Sequence, residues 1–516
     1  MSALKKLIGQ TAIYGSSSII GRFLNYLLTP FYVHIYSNEQ YGIITEMYAY
    51  VAFLVVFLTY GMETALFRFS TNKPNERKSI YSNTLFSITA TSSVFILIAS
   101  LFSNDIAILL KYPDHAEYII WFSLIVGIDA ISAIPLANLR LKEKAKKFAL
   151  INFLNVGINI GLNLFFLVYC KQIYEGGNPN WIVNQFYEPQ VGVGYVFISN
   201  LIASLVKFIV LIPEMNFQGG FDFSIIREML KYAYPMLLVG LAYVVNETLD
   251  RAMLKELLYR QYLNEIPEIT SSQALIKAQS ANGIYGANYK ITMIISMFIQ
   301  AFRYASEPFF FRDQSNEKSK ETLSKVMNYF VITLVFIFLV ITLYLHLFKY
   351  FIPNESYWIG LKVVPILLAA NICLGLYTNV SMWYKLADKT IYGALISFIG
   401  VIITLSINLL FIPKYGYVAS AYATLICYGS MMIIGYVLGQ IYYPIPYSIK
   451  KICIYICVGF GLYYVSEKFN PSVGYDPSTY LYHGFLLLIY VVIVLIMERP
   501  KFNFKSVLYD RSKNNK

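Results

Sequence analysis

The chain has 516 residues, 57% of them hydrophobic and only 14% charged, with a formal net charge of +12. A soluble domain carries about 25% charge, and a soluble chain of this length would divide into domains joined by polar linkers. Here apolar runs of about 20 residues, the length a helix needs to cross a ~30 Å hydrocarbon core, recur from end to end, which excludes a soluble enzyme and specifies an integral membrane protein.

Fourteen spans are predicted, at 9–34, 41–67, 80–103, 116–138, 148–170, 190–213, 229–252, 282–311, 326–348, 358–384, 391–412, 416–440, 450–466 and 480–497. MSALKKLIGQ has a weak basic start and no small-residue cleavage site closes the first apolar run, so span 1 reads as permanent. Arg22 lies about thirteen residues into it, roughly 20 Å at 1.5 Å per residue, too deep for easy snorkelling. Span 2 carries Glu46 and Glu63, and span 4 carries Asp129 near Pro135. In span 5, Asn152, Asn155, Asn159 and Asn163 fall within an arc of about 80°. NFQGGFDFS interrupts the apolar pattern between spans 6 and 7, near 214–228. Span 7 closes on Asp250-Arg251, and span 8 holds Lys290, Arg303 and Glu307. The longest loops on the far side, 171–189 and 253–281, are too short for a folded catalytic domain.

Basic residues test this layout. Alternate loops and the C-terminal tail carry 27 Lys and Arg, including Arg140, Lys142, Lys144, Lys146 and Lys147, whereas the other side holds 8. That bias places both termini in the cytoplasm. The positive charge is therefore a topology signal and not a nucleic-acid patch.

The sequence also repeats itself. At an offset of 244, Tyr41, Gly42, Tyr60, Glu63, Phe67 and Arg68 of span 2 meet Tyr285, Gly286, Tyr304, Glu307, Phe311 and Arg312 of span 8. At an offset of 245, ALINFLNVGINIGLNLFF of span 5 and ALISFIGVIITLSINLLF of span 11 share nine of eighteen residues, Asn163 with Asn408 among them. Paired spans run the same way through the membrane, so the repeat is parallel. The expected fold is all-α: two pseudo-symmetric six-helix bundles, 1–218 and 219–445, then two extra helices and a basic tail over 446–516.

A six-plus-six-plus-two layout, SSSIIGR followed by NEQYG, a span ending in Asp250-Arg251, and INLLFIPKYGYVASAYAT across spans 11 and 12 carry a resemblance. The chain resembles the polysaccharide-transporter branch of the superfamily that also holds multidrug exporters and peptidoglycan-precursor flippases. The resemblance implies a flippase of the bacterial cytoplasmic membrane. Its substrate would be an undecaprenyl-pyrophosphate-linked oligosaccharide, moved to the periplasmic leaflet for O-antigen, capsule or exopolysaccharide assembly. Membrane lipids, a polysaccharide polymerase and a chain-length regulator are the partners it suggests, with H+ or Na+ as a coupling ion and no other cofactor.

Ionisable groups deep in spans mark functional sites by default. Arg22, Lys290 and Arg303 are the candidate head-group cations, because fixed cations can replace the hydration of a pyrophosphate. The resemblance implies cations in the same two spans. Arg303 also has a bland reading as the i+4 partner of Glu307. Asn155 and Asn159 are candidates for sugar hydroxyls, or for helix–helix glue. Glu46 and Lys290 occupy equivalent repeat positions with opposite charge, which suggests a gate. Asp129 is read either as an ion carrier or as a structural group. Glu63 and Glu307 are read as helix-end pairs, and Lys207, Arg251 and Lys362 as snorkelling residues near span ends. The five cysteines and four histidines have no metal-like spacing, and no nucleotide-binding or catalytic motif is present. The competing readings are a cation-coupled multidrug exporter, for which three intramembrane cations are unfavourable, and a membrane polysaccharide polymerase, which the short loops disfavour.

Overall fold

A computed structural model describes residues 19–177, 179–312, 317–387, 389–469 and 477–498; within these, the side chains of 304–319 are left aside. Among the described residues, with short helices such as Ser103–Leu109 between them, fourteen longer helical segments follow in order. They are α1 (residues 19–35), α2 (Asn38–Asn72), α3 (Pro74–Leu101), α4 (Ala116–Leu141), α5 (Ala145–Glu175), α6 (Gly194–Glu214) and α7 (Phe223–Glu265). Then come α8 (Ser271–Arg312), α9 (Glu317–Leu343), α10 (Glu355–Leu386), α11 (Ile391–Tyr415), α12 (Tyr417–Tyr442), α13 (Ile449–Lys468) and α14 (Pro477–Glu498). Among the described residues, twelve of them are long and apolar enough to cross a membrane. The two others, α1 and α8, carry Arg22, Lys290 and Arg303.

Local chemistry fixes the helix starts. Ser37 caps α2 in a reciprocal box with Gln40, which satisfies amides that would otherwise be orphaned. Asp222 accepts from the Ser224 amide at the head of α7. Midway, α2 breaks at Tyr60 and Gly61, both left-handed. A Cβ at Gly61 would also stand 2.7 Å from the Ala233 carbonyl oxygen of α7, so only glycine fits that crossing.

Packing follows the repeat. α3 lies on α4, α4 on α6, and α5 on α6; α9 lies on α10, α10 on α12, and α11 on α12 in the same manner. Asn163 and Asn408, matched by the repeat, are both fully buried, and each donates to the carbonyl four residues back. α13 and α14 pack against α9.

The longest predicted loop is corrected. Residues 253–281 are mostly helix: α7 continues to Glu265 and α8 begins at Ser271. At 43 residues, α7 is about 65 Å long, so it stands well clear of the hydrocarbon on the face opposite Lys142, Lys144 and Lys147. The other predicted loop, 171–189, holds two helical turns, Lys171–Glu175 and Trp181–Phe186.

The bundles meet along a seam between α2 and α8. Glycine sets its closeness: a Cβ at Gly42 would lie 2.0 Å from the Gln279 carbonyl oxygen, and one at Gly283 would lie 1.9 Å from that of Asn38. Tyr357 Oη–H donates to the Tyr36 carbonyl at 3.0 Å, and Ser356 Oγ–H to Asn38 Oδ1 at 2.7 Å, along the same edge. Gly283→Ala should destabilise this packing by about 1–3 kcal/mol, the usual cost of overfilling a tight contact. The readout is the thermal unfolding midpoint of the purified protein, and an unchanged midpoint would show that the helices do not approach so closely.

Candidate functional site

Between the bundles lies a cavity of about 340 Å³. Its N-terminal wall is neutral and polar, with Tyr48 from α2, Asn155 and Asn159 from α5, and Asn200 from α6. Its C-terminal wall brings two cations, Arg251 from α7 and Lys290 from α8, and among the described residues no carboxylate lines it. Among the described residues, neither cation has a carboxylate oxygen within 4 Å. The Arg251 guanidinium instead stands 4.2 Å from the centre of the Tyr289 ring, a cation–π contact that leaves its planar N–H fork available.

The asparagine stripe serves two ends. Asn163 accepts from Tyr32 Oη–H at 2.9 Å, and Asn159 donates to Asn25 at 3.4 Å, which ties α5 to α1. Asn155 Oδ1 is buried on the cavity wall with no hydrogen-bond partner. A buried acceptor without a donor is costly, and a hydroxyl-bearing ligand would supply one.

A second space of about 110 Å³ adjoins α8 on the far side of Lys290. Arg22, Arg303, Gln300 and Glu247 line it, and Arg22 Nη1 donates to Gln300 Oε1 at 2.9 Å. Glu247 accepts from Tyr289 at 3.1 Å and from Tyr428 at 2.9 Å. Tyr289 thus touches both groups, with its ring under Arg251 and its hydroxyl on Glu247. The three cations expected from the sequence therefore divide, Lys290 to the main cavity and Arg22 with Arg303 to the smaller one. Glu307 and Arg312 fall among the side chains outside the described residues.

Several expected pairings are corrected. Glu46 does not pair with Lys290. It is 1% exposed and takes an ion pair from Lys255 at 2.9 Å, with hydroxyls from Tyr50 at 2.8 Å and Tyr112 at 2.5 Å. Lys255 also donates to the Leu110 carbonyl at 2.7 Å. The reason is the helical extension of α7, which carries Lys255 over the end of α2. One residue on, Glu256 pairs with Lys111, whose ammonium also rests on Tyr259. Glu63 pairs with Arg140 of α4, while Arg68, five residues on, stacks on Tyr232 at 4.2 Å. Asp129 accepts from Lys207 of α6 at 2.7 Å, and Lys207 is buried rather than snorkelling.

Arg251, read from the sequence as a snorkelling residue at a span end, instead lines the cavity. Asp250 and Arg251 do not form a pair through their side chains, because adjacent helical residues do not face one another. Asp250 is buried and accepts from Tyr285 Oη–H at 2.6 Å, so Arg251 is turned toward the cavity. That geometric rule was available from the sequence alone.

Removing one member of the Glu46–Lys255 pair leaves a buried charge without its partner, which costs about 3–5 kcal/mol. Glu46→Gln and Lys255→Met should each lower the unfolding midpoint. The swap of Glu46→Lys with Lys255→Glu should recover part of the loss, and a double variant no better than the singles would show that the pair does not hold the seam.

The polysaccharide biosynthesis protein family model matches residues 7–314, more than half of the chain. No curated protein matches. The lipid II flippase MurJ in an inward closed conformation superposes with a TM-score of 0.65 at 15% identity, covering 96% of this chain and 99% of that one. A multidrug resistance MATE family transporter of the MOP superfamily in its inward-facing conformation gives 0.63 at 13% identity, covering 81% and 93%. An outward-facing structure described in the same words gives 0.54 at 12% identity, covering 84% and 94%. With its parallel helical repeat and its cavity between the bundles, the chain belongs to the polysaccharide biosynthesis protein family and has the fold of the MOP-superfamily transporters and flippases.

Proposed function

We propose that the protein flips an undecaprenyl-pyrophosphate-linked oligosaccharide from the cytoplasmic to the periplasmic leaflet of a bacterial inner membrane. One observation carries this reading: Arg251 and Lys290 face a cavity that has neutral amides opposite them and no acidic lining residue. A pyrophosphate cannot cross hydrocarbon unpaired, and a guanidinium fork with a nearby ammonium replaces its water. Asn155, Asn159 and Asn200 then meet hydroxyls of the adjoining sugar. The cavity, near the small end of ligand sites at ~300–1,000 Å³, suits the pyrophosphate and that sugar better than a whole glycan. The prenyl tail stays in the bilayer. A cationic drug would need the opposite polarity.

Residues 1–218 and 219–445 would act as the two rocking halves. The sealed seam at Gly42, Gly283 and the Glu46–Lys255 pair lies on the periplasmic side in this assignment, with both termini cytoplasmic. The described arrangement is then inward-facing, a reading supported by the higher TM-score against the inward-facing MATE structure than against the outward-facing one. Gating passes from the expected Glu46–Lys290 contact to Glu46 with Lys255, which must part when the halves rock. Coupling to H+ or Na+ at Asp129 becomes an exchange in which the ion displaces Lys207. Arg303, farther along α8 from Lys290, and Arg22 of α1, which lines the same small space, would receive the head group before it reaches the main cavity. A polymerase and a chain-length regulator would take over the flipped product.

Deletion should abolish surface polysaccharide while the lipid-linked unit accumulates in the inner leaflet, and unchanged polysaccharide would sink the proposal. In proteoliposomes carrying a fluorescent pyrophosphate-linked glycolipid, Arg251→Gln and Lys290→Gln should each slow flipping by about tenfold or more, the worth of one charged hydrogen bond. Arg251→Lys should fall between, since it keeps charge but loses the fork.

A further inference from the structure

A second cationic cavity lies away from the transport site, on the face that carries Lys142, Lys144 and Lys147. Its volume is about 550 Å³. Three chain segments enclose it: the turn that opens α3, the end of α4, and the linker 215–222 between the bundles. Arg77, Lys78 and Lys142 bring three positive charges to its walls, and Asn138 and Gln218 bring amides.

Its cations are poorly answered. Among the described residues, neither Arg77 nor Lys78 has a carboxylate oxygen within 4 Å. Arg77 Nη2 is buried and has no hydrogen-bond partner, an arrangement that costs free energy unless an acceptor arrives. Glu214, the acid that pairs with Lys142, is already shared with Lys144 and Lys147, at 3.5, 3.3 and 2.7 Å for Lys142, Lys144 and Lys147. α3 opens here on the turn Pro74–Glu76 without a side-chain cap, so its positive dipole end faces the same space.

The linker is held tightly as the roof. A Cβ at Gly219 would lie 2.3 Å from the Lys78 carbonyl oxygen. Asn83 donates to the Gly220 carbonyl at 3.2 Å and accepts from the Asp222 amide at 2.7 Å. Phe217, Phe221 and Phe223 of the same stretch are exposed, and Phe221 meets the exposed Phe86 ring edge-on at 4.8 Å. Exposed apolar rings beside a cationic pocket at the end of the spans fit a segment that lies at the boundary between head groups and acyl chains.

We propose that this cavity binds a phosphate group, from the head of an acidic phospholipid or as a soluble phosphate, and thereby fixes the linker that joins the two bundles. The site is independent of the transport cavity, so it stands or falls apart from the flippase reading. The test uses the full-length protein in uncharged detergent, with the unfolding midpoint followed as phosphatidylglycerol, phosphatidylcholine or inorganic phosphate is titrated in. Phosphatidylglycerol should raise the midpoint saturably where phosphatidylcholine does not. The same rise with inorganic phosphate alone would support the site and assign it to the soluble source. Arg77→Gln should weaken the response by about tenfold or more, and Lys450→Gln, on the same face but outside the cavity, should leave it unchanged. Should Arg77→Gln fail to fold, the exposed Lys78→Gln carries the same comparison, with a weakened response expected. The absence of any saturable response, or an equal response from the cavity variant and wild type, overturns the proposal.

Discussion

Lys255 and Glu46 are 2% and 1% exposed, and each makes the other's burial tolerable. An isolated charge at that depth would cost several kcal/mol; here the carboxylate also takes two tyrosine hydroxyls and the ammonium a backbone carbonyl. Every member of this cluster except Lys255 comes from the N-terminal bundle. The cluster therefore exists only while α7 lies against α2. The glycine contacts of α2 with α8 depend on the same docking, since α7 and α8 are joined by the short turn 266–270. A seam held this way is either fully formed or broken, because half of it would leave a charge stranded. Such all-or-none behaviour is what a two-state transporter element requires.

The same physics sorts the remaining intramembrane charges. Asp129 has Lys207, Glu63 has Arg140, and Glu46 has Lys255. Each of these three carboxylates is tied to a cation from another helix, which turns a costly group into a constraint on packing, whereas Glu247 and Asp250 take tyrosine hydroxyls. Arg251 and Lys290 stand outside this rule. Both lie on the C-terminal wall, and the N-terminal wall across from them offers amides and hydroxyls rather than a counter-charge. Asp250 and Glu247 of the C-terminal bundle act on these two cations electrostatically but lie outside the cavity lining, so the wall that faces the open space is itself cationic.

How much of this could be read beforehand depended on how local the cause was. The spans were legible because hydrocarbon thickness imposes a length on each apolar run. The repeat was legible because Tyr41 with Tyr285, and Asn163 with Asn408, keep both spacing and burial in the two bundles. Pairing was not legible. Glu46 and Lys290 are related by sequence symmetry, yet contact depends on where α7 ends, and MLKELLYRQYLNE is too charged to register as part of a span. Its Leu254 and Leu258, four residues apart and both buried, with Glu256 and Arg260 also four apart, carried the helical signal that hydropathy alone passed over.

The basic loops show that one set of residues can satisfy two constraints. Their excess on one face is a topology signal, and that reading asks nothing of their arrangement within the face. Yet Lys142, Lys144 and Lys147 converge on the single carboxylate of Glu214, while Arg77 and Lys78 converge on a cavity with no acid in its walls. Charge dispersed for topology alone would maximise the separation of like charges, since each close pair is repulsive. Crowding on this scale needs compensation. Glu214 provides it for one group, and for Arg77 and Lys78 under the inter-bundle linker the bound phosphate proposed above would provide it. The linker's exposed phenylalanines suit a segment at the boundary between head groups and acyl chains, the depth at which a lipid phosphate would reach that cavity.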